Sequence, residues 1–374
     1  MQKTGTFKRI TNETRNALHD RLSPSINENE RCAVNCLIFT ENADNSYSSL
    51  WCAYGKKLKI FNTKTWICDP NELSFPSTIK CMCLDHSNKL WIGCVDGEIF
   101  LVDIIQRISG TQLAAMEGKH RCQTMAFDDR RKFMLIANRS SLLMIWNTIN
   151  RQHLTNIHLD QMFKGVSSMQ QRIEKTEALL NRQQRDKDHQ TQSNETKQPI
   201  DNELNSIQTY EDLLFACFRD DYVLIFRANN FNSYTYEQMV SVRYNDTIPI
   251  SCFVVYNEQL WISACYIVYI YKINMNNKKT SFDLLMKNHL DEDHLLTMLG
   301  MSDHIWAGSF RGNVYIFRMD NYERLKTFNG HKDGVCSLCP MSDTFVISGS
   351  QQYDTSIVVW EDVPGNDEIT STKF

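Results

Sequence analysis

The feature that most constrains this 374-residue chain is a repeat marked by tryptophan. Four tryptophans open similar apolar runs, namely Trp51, Trp91, Trp261 and Trp306. The spacing is 40 residues in the first pair and 45 in the second, and the 170 residues between the pairs equal about four units of 42. Three weaker copies fall in phase and begin at Phe133, Leu213 and Phe345. The chain therefore contains seven copies of one unit.

Each copy reads as an apolar strand, a short polar turn and a second strand that ends in an aromatic residue. The second copy turns at Asp96-Gly97, a good hairpin dipeptide, and it shares the pattern Trp-x-Gly-x-x-x-Gly with the copy at Trp306, Gly308 and Gly312. A further strand precedes most copies. A period of about 40–45 residues built from short strands is typical of β-propellers. The sequence predicts an all-β, seven-bladed β-propeller with one helical or disordered insertion.

We expect the propeller to span residues 31–363, between an N-terminal segment at 1–30 and a C-terminal tail at 364–374. Two segments could supply the strand that closes the ring. The preferred candidate is Gly5–Ile10, and the alternative is Glu368–Phe374. Seven units of this length account for the whole chain as one domain.

An insertion is expected at residues 160–208, because Phe133 and Leu213 are 80 residues apart, about twice the local spacing. Within it, Phe163–Arg182 has apolar residues at helical spacing. Asp186–Asn202 is polar and reads as a solvated linker. The helix either lies against the rim of the propeller, which is the simpler interpretation, or docks a partner or pairs in a short coiled coil.

Several function classes are excluded by composition and motif. A net charge of −4 with no long basic block argues against nucleic-acid binding. The longest apolar run has about 12 residues where a membrane helix needs about 20, and residues 1–30 hold no secretory signal, so a cytoplasmic protein is expected. No phosphate loop, nucleophile elbow, metalloprotease motif or dinucleotide fingerprint occurs. The prediction is a chain that is not an enzyme and binds no cofactor.

The metal-ligating candidates are weak. Cys336 and Cys339 lack a second Cys/His pair at zinc-finger spacing, and Cys81 and Cys83 also alternate with apolar residues along predicted strands. The acidic cluster at 291–294 is interpreted as a solvated turn. No metal site is predicted.

The last copy resembles the WD-repeat pattern, in which a histidine, a serine, an aspartate and a tryptophan form a hydrogen-bonded network that pins the blade. It contains a Gly-His pair ending at His331, then Ser348, Asp354 and, six residues later, Trp360. The resemblance implies that these four residues form the network. Three residues separate Ser350 from Asp354 where the pattern has one, which leaves the position of Asp354 open.

A candidate partner-binding face is formed by the turns between the second and third strands of the copies. Basic and aromatic residues in these turns have the composition of protein–protein hot spots. They are Lys56, Lys57, Arg139, Arg219, Tyr266, Phe310, Arg311 and Tyr353. We expect the face to bind an acidic or phosphorylated peptide or an anionic lipid headgroup. The alternative is a set of ordinary solvated turns, since acidic residues share the same rim.

A closer resemblance is carried by three segments, KLWIGCVDGEIFLVDI, HIWAGSFRGNVYIFRMDNYERLKTFNGHKDGVCSLC and VISGSQQYDTSIVVWED. They resemble the divergent propellers at the C-terminus of some DENN-domain Rab exchange factors and, second, of Roco-type kinases. The resemblance implies a non-catalytic scaffold or adaptor in contact with trafficking or small-GTPase machinery. The alternative is the regulatory C-terminal part of such an exchange factor or kinase.

Overall fold

The computed structural model describes residues 33–41, 48–107, 111–116, 120–162, 203–219, 222–229, 233–242, 249–276, 279–291, 293–351, 354, 356–361 and 370–373. Within them the chain forms 28 β-strands and a single helical turn at residues 159–162. Sheets 1 to 4 consist of β1 (Val34–Thr40), β2 (Ser49–Tyr54), β3 (Lys57–Asn62), β4 (Leu73–Ser74), β5 (Ile79–Leu84), β6 (Lys89–Cys94), β7 (Glu98–Asp103), β8 (Thr111–Ala115), β9 (Cys122–Asp128), β10 (Phe133–Asn138), β11 (Leu142–Asn147), β12 (Gln152–His158), β13 (Leu204–Tyr210), β14 (Leu213–Phe218), β15 (Tyr222–Ala228) and β16 (Tyr234–Ser241). Sheets 5 to 7 consist of β17 (Ile250–Tyr256), β18 (Gln259–Ala264), β19 (Ile267–Asn276), β20 (Lys279–His289), β21 (Leu295–Met301), β22 (His304–Ser309), β23 (Asn313–Arg318), β24 (Arg324–Asn329), β25 (Val335–Ser342), β26 (Phe345–Ser350), β27 (Ile357–Glu361) and β28 (Thr370–Lys373).

The seven sheets are arranged as a closed ring. Within each sheet four consecutive strands pair antiparallel in chain order. The first strand of each sheet contacts the first strand of the next, and β25 contacts β1. The first strands therefore surround the centre and the fourth strands lie at the periphery. The predicted all-β, seven-bladed β-propeller is confirmed.

Burial follows from this arrangement, because each second strand is covered by neighbouring sheets on both faces. All residues of β2, β10 and β14 are buried, whereas the peripheral strand β12 is largely exposed. The four tryptophans that mark the repeat lie on second strands and are at most 1% exposed. Seven apolar clusters are found in the described part of the chain, and each joins two adjacent sheets. A single sheet cannot bury both faces alone, so stability depends on the closed ring.

The Trp-x-Gly pattern has a packing reason. Gly308 follows Trp306 by two residues in β22, and a Cβ atom added to it would lie 2.5 Å from Val335 Cγ1 at the start of the next sheet. Gly349 holds the same place in β26, and its added Cβ would lie 2.5 Å from Val34 Cγ1. Carbon atoms do not approach this closely, so a side chain at either position would push adjacent sheets apart.

The ring is closed by sheet-to-sheet packing between sheets 7 and 1. The fourth strand of sheet 7 is β28, which pairs with β27. This corrects the preference for Gly5–Ile10 at that edge: the alternative segment occupies it, and residues 370–373 belong to the propeller instead of a tail. Gly5–Ile10 lies outside the described residues. One apolar cluster joins the two sheets, and Ser337 Oγ donates to Val34 O at 3.1 Å.

The insertion separates sheet 3 from sheet 4. The peripheral strand β12 leads into the helical turn at 159–162, and β13 begins at Leu204. The expected insertion boundary at residue 208 is therefore corrected, because the first strand of sheet 4 begins inside it. The predicted helix at Phe163–Arg182 and linker at Asp186–Asn202 lie outside the described residues.

Candidate functional site

The four residues that the WD-repeat resemblance implies are joined in sheet 7 by hydrogen bonds. His331 Nδ1 lies 3.2 Å from Asp354 Oδ2, and His331 Nε2 lies 2.7 Å from Ser348 Oγ. Trp360 Nε1 donates to the same Ser348 oxygen at 2.8 Å. Ser356 Oγ also lies 2.9 Å from His331 Nδ1. The longer turn does not displace Asp354 from the histidine.

These contacts define how protons are placed in the network. A proton on Nδ1 of His331 lets the ring donate to Asp354 and accept from the Ser348 hydroxyl. Ser348 then accepts from Trp360 through its remaining lone pairs. Asp354 Oδ2 also accepts a hydrogen bond from Lys332 N at 2.8 Å. This bond joins the segment before β25 to the turn between β26 and β27. These hydrogen bonds join the start of sheet 7 to its second and third strands.

Replacing Ser348 by alanine is expected to destabilise the propeller by about 1–3 kcal/mol, because two buried groups on His331 and Trp360 lose their partner. Thermal melting followed by circular dichroism measures the change. Ser342→Ala is the matched control, since Ser342 is exposed near the end of β25 in the same sheet. Equal melting temperatures for the two variants would contradict the proposed stabilising role.

Sheet 6 has a corresponding anchor that the sequence did not reveal. Asp293 precedes β21 and is 1% exposed. It accepts hydrogen bonds from Tyr315 OH at 2.8 Å, Asn313 Nδ2 at 3.0 Å and Arg311 N at 3.2 Å. The interpretation of the 291–294 cluster as a solvated turn is therefore wrong for Asp293. Burial alone would raise the pKa of Asp293, but hydrogen bonds, first from Ser309 and then from Tyr315, lower it below its ordinary value.

Turns between second and third strands share one face of the ring with the connections between consecutive sheets. Backbone hydrogen bonds join the two sets of loops, as in Leu204 N to Arg139 O at 3.0 Å and Phe310 N to His294 O at 2.9 Å. We call this the upper face, and the opposite face, formed by the remaining turns, the lower face. Because the insertion connects sheets 3 and 4, it leaves and re-enters the propeller at the upper face.

A cavity of about 550 Å³ opens on the upper face between sheets 3 and 6. We call it the upper-face cavity. Its volume is within the range of typical ligand sites. The charged and aromatic side chains that line it are Arg121, Arg139, Glu203, Arg219, Tyr266 and His294.

Two of the predicted arginines meet on one carboxylate. Arg139 and Arg219 both form salt bridges with Oε2 of Glu203, the latter at 3.2 Å. The hydrogen bond from Arg139, followed by that from Arg219, holds the pKa of Glu203 below its ordinary value, so Glu203 stays ionised. The arginines of this face are therefore partly neutralised within the chain, which the sequence did not predict.

An aromatic ledge borders the cavity. His294 stacks on Phe310 with ring centroids 4.7 Å apart and planes 17° apart, and Tyr266 lies 6.5 Å from His294 on the other side. Tyr266 is 44% exposed and Phe310 is 52% exposed. Aromatic residues are enriched at protein interfaces, so two exposed rings beside a cavity are candidates for partner contact.

The remaining candidates lie elsewhere. Lys56 is exposed and Lys57 pairs with Glu72 at 2.8 Å in sheet 1, on the far side of the ring from the cavity. Arg311 lies in the turn of sheet 6 beside the ledge, and Tyr353 lies outside the described residues. Of the eight predicted residues, Arg139, Arg219 and Tyr266 line the cavity and Phe310 packs against its wall.

Sequence reasoning missed Arg121 and Glu203 and placed His294 in a solvated turn, because it sought binding residues only in the turns between second and third strands. Each of these residues stands immediately before the first strand of a sheet: β9, β13 and β21 respectively. First strands surround the centre of the ring, so the residue before each one lies at the mouth of the central channel. That position within the repeat is the signal that could have identified them.

The cysteines form no metal site in the described part of the chain. No group of three or more His, Cys, Asp or Glu side chains there is placed to hold a metal ion. Burial raises the pKa of the Cys336 and Cys339 thiols to about 12, so they remain protonated. Cys83 behaves alike, with a pKa raised by burial to about 12.

The seventh sheet also contains a segment that matches a known family. Residues 322–361, which contain its first three strands, match the family described as "WD domain, G-beta repeat". The chain is a seven-bladed β-propeller in which this one segment resembles a WD repeat. Propellers with WD repeats generally bind other proteins and are generally not enzymes. The described part of the chain contains no helix of the length and apolar character that a bilayer span requires.

A longer similarity covers almost the whole chain. DENN domain-containing protein 3 of Mus musculus is 20% identical over 375 residues, which cover 94% of this chain and 25% of that protein. The chain thus spans about a quarter of the length of this relative. The resemblance to Roco-type kinases remains a prediction.

The fold is shared with a solved structure of unrelated sequence. The crystal structure of the computationally designed Ika8 protein matches with a TM-score of 0.55 and 12% identity, and the match covers 88% of this chain and 96% of the designed one. At an identity this low, the match shows a shared fold and nothing about function.

Proposed function

We propose that this chain is a non-catalytic, cytoplasmic adaptor that uses its upper face to bind an acidic or phosphorylated segment of a partner protein. The observation that carries the proposal is the upper-face cavity, where arginines lie beside exposed aromatic rings. Arginine and aromatic side chains dominate the binding energy of protein interfaces. The WD repeat favours proteins as partners, and no cofactor or nucleic acid is needed.

The aromatic rings and the guanidinium groups of this face would make different kinds of contact with a partner. Tyr266 and Phe310 offer rigid apolar area at low entropic cost. Arg219, whose side chain is 64% exposed, offers planar donors for carboxylate or phosphoryl oxygens at the edge of the ledge. A partner segment with an acidic residue next to an apolar one fits both at once.

The test compares partner capture by the tagged wild-type chain and by a variant of the upper face carrying Arg219→Glu, Tyr266→Ala and Phe310→Ala. All three side chains are exposed, so the fold is retained. We expect the variant to lose at least about tenfold of each specifically captured protein, because it loses hot-spot rings and reverses a charge. Quantitative mass spectrometry of the captured proteins measures the loss.

The matched control makes the same kinds of change on the lower face, with Arg130→Glu, Ile105→Ala and Ile149→Ala. Ile105 is 74% exposed, Ile149 is 70% exposed and the Arg130 side chain is 58% exposed. The control is expected to capture partners as the wild type does. If the upper-face variant captured the same proteins as this control, the upper face would not be the interface.

A second candidate function is the regulatory part of a DENN-type exchange factor for Rab GTPases. The similarity to DENN domain-containing protein 3 over nearly all of this chain favours it. In this case the upper face would contact another domain of the same polypeptide or the trafficking machinery that the polypeptide regulates.

The two candidates differ in the size of the native protein. An antibody against the propeller, used on a lysate of the source cells, is expected to detect a band near 43.6 kDa for a free-standing adaptor. A much larger band, with a DENN reading frame in the same transcript, would support the exchange-factor candidate and contradict the free-standing one.

A further inference from the structure

The charges of the upper-face cavity do not balance. Among the residues that the structure describes, Arg121, Arg139 and Arg219 contribute three positive charges to its wall, and Glu203 contributes one negative charge. The resulting +2 lies in a concave site where solvent screening is weaker than on an open surface. Such a site attracts a counter-ion of matching charge.

Arg121 is the donor that the chain leaves unused. Its Nε atom is buried and has no hydrogen-bond partner among the residues that the structure describes. A buried donor without a partner is unfavourable, and more so when it is charged. Arg121 also lines the cavity, so an oxygen-rich anion there would accept hydrogen bonds from its guanidinium group. Arg139 and Arg219, in contrast, are already held by Glu203.

The walls of the cavity are rigid, because their amide side chains bridge neighbouring sheets. Gln123 Nε2 donates to Asn205 O at 3.3 Å, and Asn205 Nδ2 donates to Ser251 O at 2.8 Å. These side chains join sheets 3, 4 and 5 through their first strands. The arginines are therefore presented on a preformed frame, which lowers the entropic cost of binding.

We propose that the upper-face cavity binds the phosphoryl group of a phosphorylated side chain on a partner protein. A phosphoryl group carries about −1.5 to −2 charges at neutral pH and three strong acceptor oxygens. It neutralises the +2 of the cavity while Glu203 stays in place, whereas a single carboxylate leaves the cavity positive. The proposal rests on the proposed function and narrows its ligand from acidic in general to phosphorylated.

The aromatic ledge determines the surroundings of the phosphoryl group. Tyr266 lines the cavity and His294 connects it to Phe310. A peptide whose phosphorylated residue enters the cavity would lay its next side chains over these rings. We therefore expect an apolar residue near the phosphorylated one to strengthen binding.

The experiment measures binding of the full chain to three immobilised libraries of random nonapeptides, centred on phosphoserine, glutamate or serine. The wild type is expected to prefer the phosphoserine library to the glutamate library by at least about tenfold. Arg121→Gln is expected to remove this preference. Arg130→Gln, the same change on the lower face, is expected to preserve it. Melting curves establish that each variant is folded, and the exposed Arg219→Gln replaces Arg121→Gln if the latter does not fold.

Glu203→Gln tests the charge balance. Without the carboxylate the cavity carries +3, so binding to both the phosphoserine and the glutamate libraries is expected to tighten about threefold or more. A Glu203→Gln variant that bound neither library more tightly would contradict the assignment of charges.

The remaining outcomes distinguish failure of the phosphoryl site from failure of the proposed function. Equal binding of the phosphoserine and glutamate libraries would overturn the phosphoryl site and leave an acidic-peptide adaptor standing. Binding to vesicles that contain a phosphoinositide, without binding to the phosphoserine library, would overturn it in favour of a membrane ligand. Loss of partner capture by the upper-face variant, with no binding to any library, would overturn the phosphoryl site alone.

Discussion

Replacing Gly349 by valine is expected to lower the melting temperature of the chain by at least about 5 °C. The added side chain would begin 2.5 Å from Val34 Cγ1 and 2.7 Å from Ser337 Oγ, so sheets 7 and 1 must separate. Overpacking costs about 1–3 kcal/mol in a core. The contact matters because the ring is closed between sheets 7 and 1 by side-chain packing, through one apolar cluster and hydrogen bonds to Val34 O.

Thermal melting and limited proteolysis measure this effect. Thr327→Val introduces the same side chain on the exposed peripheral strand β24, and its melting temperature should match that of the wild type. Adding Val34→Ala to Gly349→Val makes room for the new side chain and should recover part of the loss. An unchanged melting temperature for Gly349→Val, or no recovery in the double variant, would show that this contact does not close the ring.

Replacing Asp293 by asparagine is expected to cost about 2–3 kcal/mol at neutral pH. Asp293 is 1% exposed and accepts hydrogen bonds from Tyr315, Asn313 and Arg311. Asparagine has the same shape, but its NH2 group would face groups that also donate hydrogen bonds. Two donors cannot bond to each other, so at least one of these hydrogen bonds would be lost. Asp291→Asn is the matched control, because Asp291 is exposed and pairs only at the surface with Arg324 at 3.3 Å.

The loss in Asp293→Asn should also depend on pH. The pKa of Asp293 is lowered in the folded chain, so the folded state favours the ionised carboxylate relative to the unfolded state. The stability from this group is therefore fully present above about pH 4 and is lost as the pH falls through the lowered folded value. Urea unfolding between pH 7 and about pH 2 should show the gap between wild type and variant shrinking below about pH 4. A gap that is constant with pH would contradict the role of the ionised carboxylate.

Much of the fold follows from short-range patterns. The repeat of about 42 residues, the hairpin turns and the preceding apolar strands indicate seven blades, because each blade is built from neighbouring residues. The Gly-His pair and the tryptophan that follows it point to the contacts of His331, Ser348, Asp354 and Trp360 in sheet 7, because these lie within one repeat. Local spacing is enough where the contact itself is local.

The candidate site was only partly predictable, because its residues come from repeats that are distant in the sequence. Arg139, Arg219 and Tyr266 were recognised because they lie in turns of one type. Arg121 and Glu203 belong to different repeats, on either side of the insertion, and only the curvature of the ring brings them to one cavity. The carboxylate that restrains two of the arginines could not be assigned from spacing.

The sequence by itself determined that this chain is a ring of seven blades, since apolar strands of fixed period must stack to bury both faces. Only the tertiary structure decided which terminal segment completes the last blade, because the sequence offered two short segments for the same edge. The structure also decided that Asp293 is a buried anchor instead of a solvated carboxylate. Packing between units separated widely in the chain determines burial, charge pairing and cavity shape, and no local pattern encodes them.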